Sequence, residues 1–349
     1  MGERAKHRFD TGSVGAIAAA HAVHDTYSAF LPPMLPVFVE RLALSRADAG
    51  LLTVFLQFPS FAQPWLGRLG DRVDPRPFVI LTPAVTAVAM SLLGVAPGYA
   101  WLAVLLVIAG CSSAALHAVG PALAGRRSGP AVGRAMGFWM VGGEAGRAMG
   151  PLVVASGIRI LGLKGTPWLM LAGLLASAML FGRLRRIPWR RDLEQVKRHG
   201  EDVRLAALVP VMVPMAGLLT ARAFILAVIT TYLPLFLREA GGSLWASGAA
   251  LTVVEVAGVA GALLGGAASD RWGRRRLIAA SMTLTPLLVV AFVLGSSTVR
   301  MALLAPMGFV GLSVAPSLMA SVQDAFPADR GLVNGIYQAM NFVVRSVVV

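Results

Sequence analysis

The sequence predicts an all-α polytopic membrane protein built as two pseudo-symmetric six-helix bundles, the second of them incomplete. Three observations predict it. Apolar runs recur along the chain at the ~20 residues that a helix needs to cross a bilayer. A short charged loop, Gly67-Arg68-Leu69-Gly70-Asp71-Arg72-Val73-Asp74-Pro75-Arg76, returns as Gly266-Ala267-Ala268-Ser269-Asp270-Arg271-Trp272-Gly273-Arg274-Arg275. Basic residues gather in alternate loops. Composition agrees: 56% of the residues are hydrophobic and 14% charged, with mean hydropathy +0.72, whereas soluble domains carry about 25% charged residues.

Taken in order, spans fall at 12–39, 48–68, 77–97, 99–123, 134–158 and 165–183. A second set falls at 205–236, 247–269, 277–296 and 299–322, with a partial run from 331 to the end. Arg4, Lys6 and Arg8 resemble the start of a secretory signal, but the apolar stretch behind them continues to Val39 without a convincing cleavage site. That is too long for a signal core, so it reads as a retained first span. The chain therefore divides into an N-terminal bundle (1–183), a basic linker (184–204) and a C-terminal bundle (205–349). The halves superpose at a nearly constant offset. Pro36 matches Pro234, Gly50 matches Gly248 and Gly137 matches Gly335 at 198 residues, and Asp71 matches Asp270 at 199. By that offset the rest of helix eleven and all of helix twelve have no counterpart before Val349, so a truncated form is expected.

Basic residues mark the cytoplasmic side of membrane proteins. With the N-terminus inside, 22 of the 31 Lys and Arg lie in inner segments, six lie in outer loops, and Arg147, Arg222 and Arg345 lie within apolar segments. That pattern accounts for the net charge of +14 without nucleic acid. It predicts a multi-pass protein of a bacterial cytoplasmic membrane, in contact with lipid and monomeric. Cys111 is the single cysteine, which excludes an intrachain disulfide. With no His-Glu-x-x-His pattern and no Walker loop, no enzyme activity, cofactor or metal is expected.

These motifs resemble the major facilitator superfamily over essentially the whole chain. The family's loop signature, Gly-x-Leu-x-Asp-Arg-x-Gly-Arg, is met by Gly67, Leu69, Asp71 and Arg72 and departs at Asp74 and Pro75; the second copy restores Gly273 and Arg274. In the fifth span, Gly137, Gly146, Gly150 and Pro151 resemble the antiporter motif of drug-efflux members, although Val154 and Ala155 replace the glycine pair that often follows. Five stretches are similar to the fosmidomycin-resistance type of efflux protein: His21-Ala22-Val23-His24-Asp25, Gln63-Pro64, Ser112-Ser113 through His117, Val141-Gly142-Gly143 and Gln323-Asp324-Ala325-Phe326-Pro327. The resemblance implies alternating access of the two halves. It also implies a gating role for Gly67, Asp71 and Arg72, with Asp71 against the cytoplasmic end of helix eleven. Gly266, Asp270, Arg271, Gly273 and Arg274 take the corresponding role toward helix five. The arginine that many drug antiporters carry inside the fourth helix is missing, because Arg126 and Arg127 fall at its end.

Ionisable groups inside a span cost about 2.5–3.5 kcal/mol at its centre, so they are expected to face a cavity or a partner. His21, His24 and Asp25, with Ser28 beyond, share one helix face by their spacing of three and four. They can bind and release a proton near neutral pH, or alternatively form a fixed network or, less readily, hold a metal. Glu144 and Arg147 stand three apart, and His117 is a further cavity candidate. Arg222 is the repeat counterpart of His24, and Glu255 that of Gln57; both are expected to face the central cavity, where Arg222 can hold an anionic substrate. The function expected is proton-coupled efflux of a small amphiphilic compound. Proton-coupled uptake of a small organic anion and a non-transporting membrane receptor or scaffold are the alternatives.

Overall fold

The computed structural model describes residues 9–185, 205–227, 229, 233–239, 241 and 244–348. Most of the linker predicted at 184–204 lies outside them. Helices dominate, and proline and glycine explain where they break. The predicted span 12–39 is two helices, α1 (Thr11–Ser28) and α2 (Leu31–Leu42). Pro32 and Pro33 stand at the start of α2, where the missing N–H costs no intrahelical hydrogen bond. The second span opens on a capping box between Ser45 and Asp48, runs as α3 (Arg46–Gln57), tightens over Phe58–Ala62 around Pro59, and resumes as α4 (Gln63–Arg72). The first half continues with α5 (Arg76–Ser91), α6 (Tyr99–Arg126), α7 (Val132–Leu161) and α8 (Met170–Leu184).

The second half comprises α9 (Leu205–Ala227), α10 (Leu233–Glu239), α11 (Leu244–Trp272), α12 (Arg274–Leu294), α13 (Ser297–Ala325) and α14 (Arg330–Val348). Among the described residues, seven helical segments are long and apolar enough to cross a membrane. The predicted span starting at 205 is again divided, as α9 and α10. Large apolar side chains such as Leu175, Met179, Val213, Leu287 and Leu294 are exposed, which suits hydrocarbon rather than water.

Glycine sets the helix spacing. Along α7, a Cβ on Gly142, Gly146 or Gly150 would meet the carbonyl oxygens of Ala18, Ala22 or Thr26 of α1. The antiporter-like motif is thus in large part the surface on which α1 lies, close enough that only glycine fits. Gly137 has a different neighbour, lying 3.1 Å by its built Cβ from the Ala262 and Leu263 carbonyls of α11. It belongs to the contact between halves. Gly133 against Gly266 and Gly67 against Gly331 complete that contact, pairing α7 with α11 and α4 with α14.

Gly146→Val should therefore push α7 from α1 and destabilise the protein by about 1–3 kcal/mol as overpacking does. Gly217→Ala in α9, where nothing lies within 4 Å, should not. Thermal unfolding of both variants in detergent checks the contrast.

Candidate functional site

Two aspartates in the last turns of their helices, Asp71 in α4 and Asp270 in α11, rather than in loops as the sequence suggests, hold the halves together at one end. Asp71, buried at the close of α4, accepts backbone hydrogen bonds from Gly331 (2.9 Å) and Leu332 (2.8 Å) at the start of α14, and pairs with Arg126 at the end of α6. Asp270 accepts from Gly133 (2.9 Å) and Arg134 (2.8 Å) at the start of α7, and pairs with Arg274 at 2.5 Å. Arg274 also reaches Asp324 at 3.0 Å. The first N–H groups of a helix have no partner within it, and the positive end of its dipole favours a carboxylate. Each half thus supplies the carboxylate that caps a helix of the other. Arg72 and Arg271 stand at the same end on the surface.

Above this closed end lies a cavity of about 470 Å³. His21, His117, Glu144 and Arg147 line it from the first half, and Arg222 and Glu255 from the second. Asp25 sits behind them, buried, and receives Arg147 Nη1 on Oδ2 at 2.8 Å. The other arm of Arg147 binds Glu144. His21 Nε2 is 3.3 Å from Asp25 Oδ2, and His117 Nε2 is 3.7 Å from Oδ1. The two Nε2 atoms are 3.2 Å apart. These ligand atoms lie within 4.8 Å of one another, close enough to share one cation. The guanidinium already on Asp25 adds positive charge beside them, which disfavours a divalent ion more than a singly charged one.

His24 points elsewhere. The Ser112 hydroxyl donates to the Thr82 carbonyl, and the Thr86 hydroxyl donates to Ser112. With the Thr86 hydrogen committed, His24 Nδ1, 3.0 Å from Thr86 Oγ1, must be the donor. Its Nε2 then accepts from Ser28 at 3.2 Å. Every polar atom of this buried ring is satisfied in the neutral form, so His24 ties α1 to α5 and α6.

Three participants were not singled out from sequence. Trp139 stacks on His21 with ring centroids 3.7 Å apart and its carbonyl 2.8 Å from His21 Nδ1; its place eight residues before Arg147, on the same helix face, carried the signal. Arg126 ends its span in the sequence, but its partner Asp71 is 55 residues away and local spacing does not reveal the pair. Asn334 donates to the His117 carbonyl at 2.8 Å, a contact between halves that no local pattern announces.

Residues 17–349 match the model of the Major Facilitator Superfamily. The chain belongs to that superfamily. An uncharacterized MFS-type transporter of Bacillus subtilis (strain 168), YfnC, is 25% identical over 341 residues, covering 95% of this chain and 83% of that one. The fosmidomycin resistance protein of Escherichia coli (strain K12) is 24% identical over 343 residues, covering 97% and 84%. Among solved structures, FucP in its outward conformation shares the fold with a TM-score of 0.73 at 12% identity, over 96% of this chain and 89% of that one. Within this superfamily fold, the capped end and the central cavity belong to the interface of the two halves.

Asp71→Asn keeps an acceptor but removes the counter-charge of Arg126. It should raise the open-to-closed ratio at this end at least about tenfold, given what an unpaired buried charge costs. Spin-label distances between the α4 and α14 ends measure it, and an unchanged distribution would refute a latch.

Proposed function

We propose that the chain exports a small amphiphilic compound across a bacterial cytoplasmic membrane in exchange for protons, with the latched end and the N-terminus facing the cytoplasm. The observation that carries this reading is a cavity at the interface of the halves, walled by ionisable side chains and shut at one end by the capped helices. A repeat interface near mid-membrane is where secondary transporters bind substrate, and buried ionisable groups there mark ion and substrate pathways. The likeness to a protein named for fosmidomycin resistance supports efflux.

Arg222, on the cavity wall, supports an anionic group on the substrate. Its Nε is buried and meets no hydrogen-bond partner among the described residues, a costly arrangement unless a ligand completes it. An anionic group on the substrate would do so. The same feature favours the second reading, proton-coupled uptake of a small organic anion, which differs only in the direction of flux.

Reconstitution into proteoliposomes with an imposed pH gradient tests both readings. Efflux predicts substrate movement against proton flow, uptake predicts movement with it, and no gradient-dependent flux of any small anion would leave the scaffold reading. Arg222→Gln should raise KM for an anionic substrate about tenfold, since a charged hydrogen bond contributes about 1.5–3 kcal/mol, and should leave KM for a neutral one unchanged.

A further inference from the structure

The buried cluster at the cavity wall invites the assumption that Asp25 carries the exchangeable proton. The hydrogen bonds argue otherwise. His21 Nδ1 lies 2.8 Å from the Trp139 carbonyl, and His117 Nδ1 lies 2.9 Å from the Ser113 carbonyl. A carbonyl only accepts, so both Nδ1 atoms bear hydrogen. In neutral rings both Nε2 atoms are then lone pairs. They face one another at 3.2 Å, with the Asp25 carboxylate 3.3 and 3.7 Å away. Arg147 donates to Asp25, but the two Nε2 lone pairs have no donor and would repel each other and the carboxylate, so the arrangement requires a proton among them.

We infer that this proton is held between the Nε2 atoms of His21 and His117, and that Asp25 is its fixed counter-charge rather than its carrier. The inference rests on the proposed proton coupling for its biological meaning, though its test needs no transport. Asp25 already accepts from Arg147 at 2.8 Å, and a neutral carboxyl there would leave that guanidinium with Glu144 alone. The indole of Trp139, stacked on His21 at 3.7 Å with an interplanar angle of 14°, presents its electron-rich face to an imidazolium. His21 is therefore the resting side of the pair. The His117 side chain is 20% exposed and that of His21 3%, so His117 is the side open to the cavity. Transfer breaks the Nε2–H bond on one ring and forms one on the other across the 3.2 Å gap between the nitrogens, leaving the donor ring neutral and the receiving ring cationic.

The charged and titratable groups around the pair are few. His24 and Asp25 come from α1, Glu144 and Arg147 from α7, Arg222 from α9, Glu255 from α11 and Tyr337 from α14. Arg147 is common to Asp25 and Glu144, so its departure toward a bound anion would alter the field on the histidine pair directly.

Trp139 supplies the probe, because an imidazolium in contact with an indole quenches its fluorescence and a neutral imidazole does so far less. The experiment is the emission of purified protein between about pH 5 and pH 8, where histidine titrates, with Trp139→Phe subtracted. Acid quenching is expected in the unmodified protein. It should vanish in His21→Gln and persist in Asp25→Asn at a displaced midpoint. In His117→Gln, which leaves the His21–Trp139 stack in place, the midpoint should move by about one pH unit. Gel filtration of each variant confirms that it is folded. Quenching lost in folded Asp25→Asn but intact in either histidine variant would return the proton to the carboxylate. Absence of any Trp139-dependent change, or an unmoved midpoint in His117→Gln, would overturn the shared proton. Proton-driven transport can fail in the same preparation without touching these outcomes.

Discussion

Polar groups removed from water must find partners inside the protein, and here the partners come from one close helix contact. α7 lies on α1 with glycine at Gly142, Gly146 and Gly150, so no side chain separates the two backbones over about two turns. At that distance the short carboxylate of Asp25 reaches Arg147 without crossing apolar space, and His21 lies flat on Trp139. A wider spacing would leave the buried Asp25 carboxylate without the guanidinium that neutralises it. The glycines therefore serve electrostatics as much as packing, which gives a physical reason for a run of small residues beside two ionisable ones.

Much of this architecture is legible in the sequence because it is written in periodic or repeated features. Hydropathy gives the spans, and the offset between Asp71 and Asp270 gives the symmetry. That symmetry returns in the structure as Gly331 and Gly133 donating to those two carboxylates. Repeat arithmetic also brings Arg222 and Glu255 to the cavity wall. What escapes is contact specified by tertiary distance and by hydrogen-bond direction. His21, His24 and Asp25 share a helix face, yet His24 faces Thr86 and Ser112 on other helices while His117 joins Asp25 from α6. Spacing along one helix says which residues are neighbours there, not which neighbouring helix each will meet. The helix breaks at Ala29–Phe30 and Phe58–Ala62 were hidden for another reason: hydropathy is continuous across them, and proline decides the backbone.

The cavity and the closed end are two parts of one assembly. Asn334, one turn into α14, donates to the His117 carbonyl, while the first turn of the same helix is held by Asp71. Any separation of α14 from α4 thus also removes a hydrogen bond from the backbone that carries His117. The backbone that carries His117 and the closed end are thus joined through a few residues of one helix.

The two aspartate caps are related by symmetry but not by environment. Asp71 and its partner Arg126 are 3% and 10% exposed as side chains, Asp270 and Arg274 are 10% and 16%, and Arg274 also leans on Asp324, which is 42% exposed. Mobile ions screen charges at a surface far more than charges withdrawn from it. A rise in ionic strength would loosen the Asp270 side before the Asp71 side, so that a nominally twofold machine would come apart from one edge.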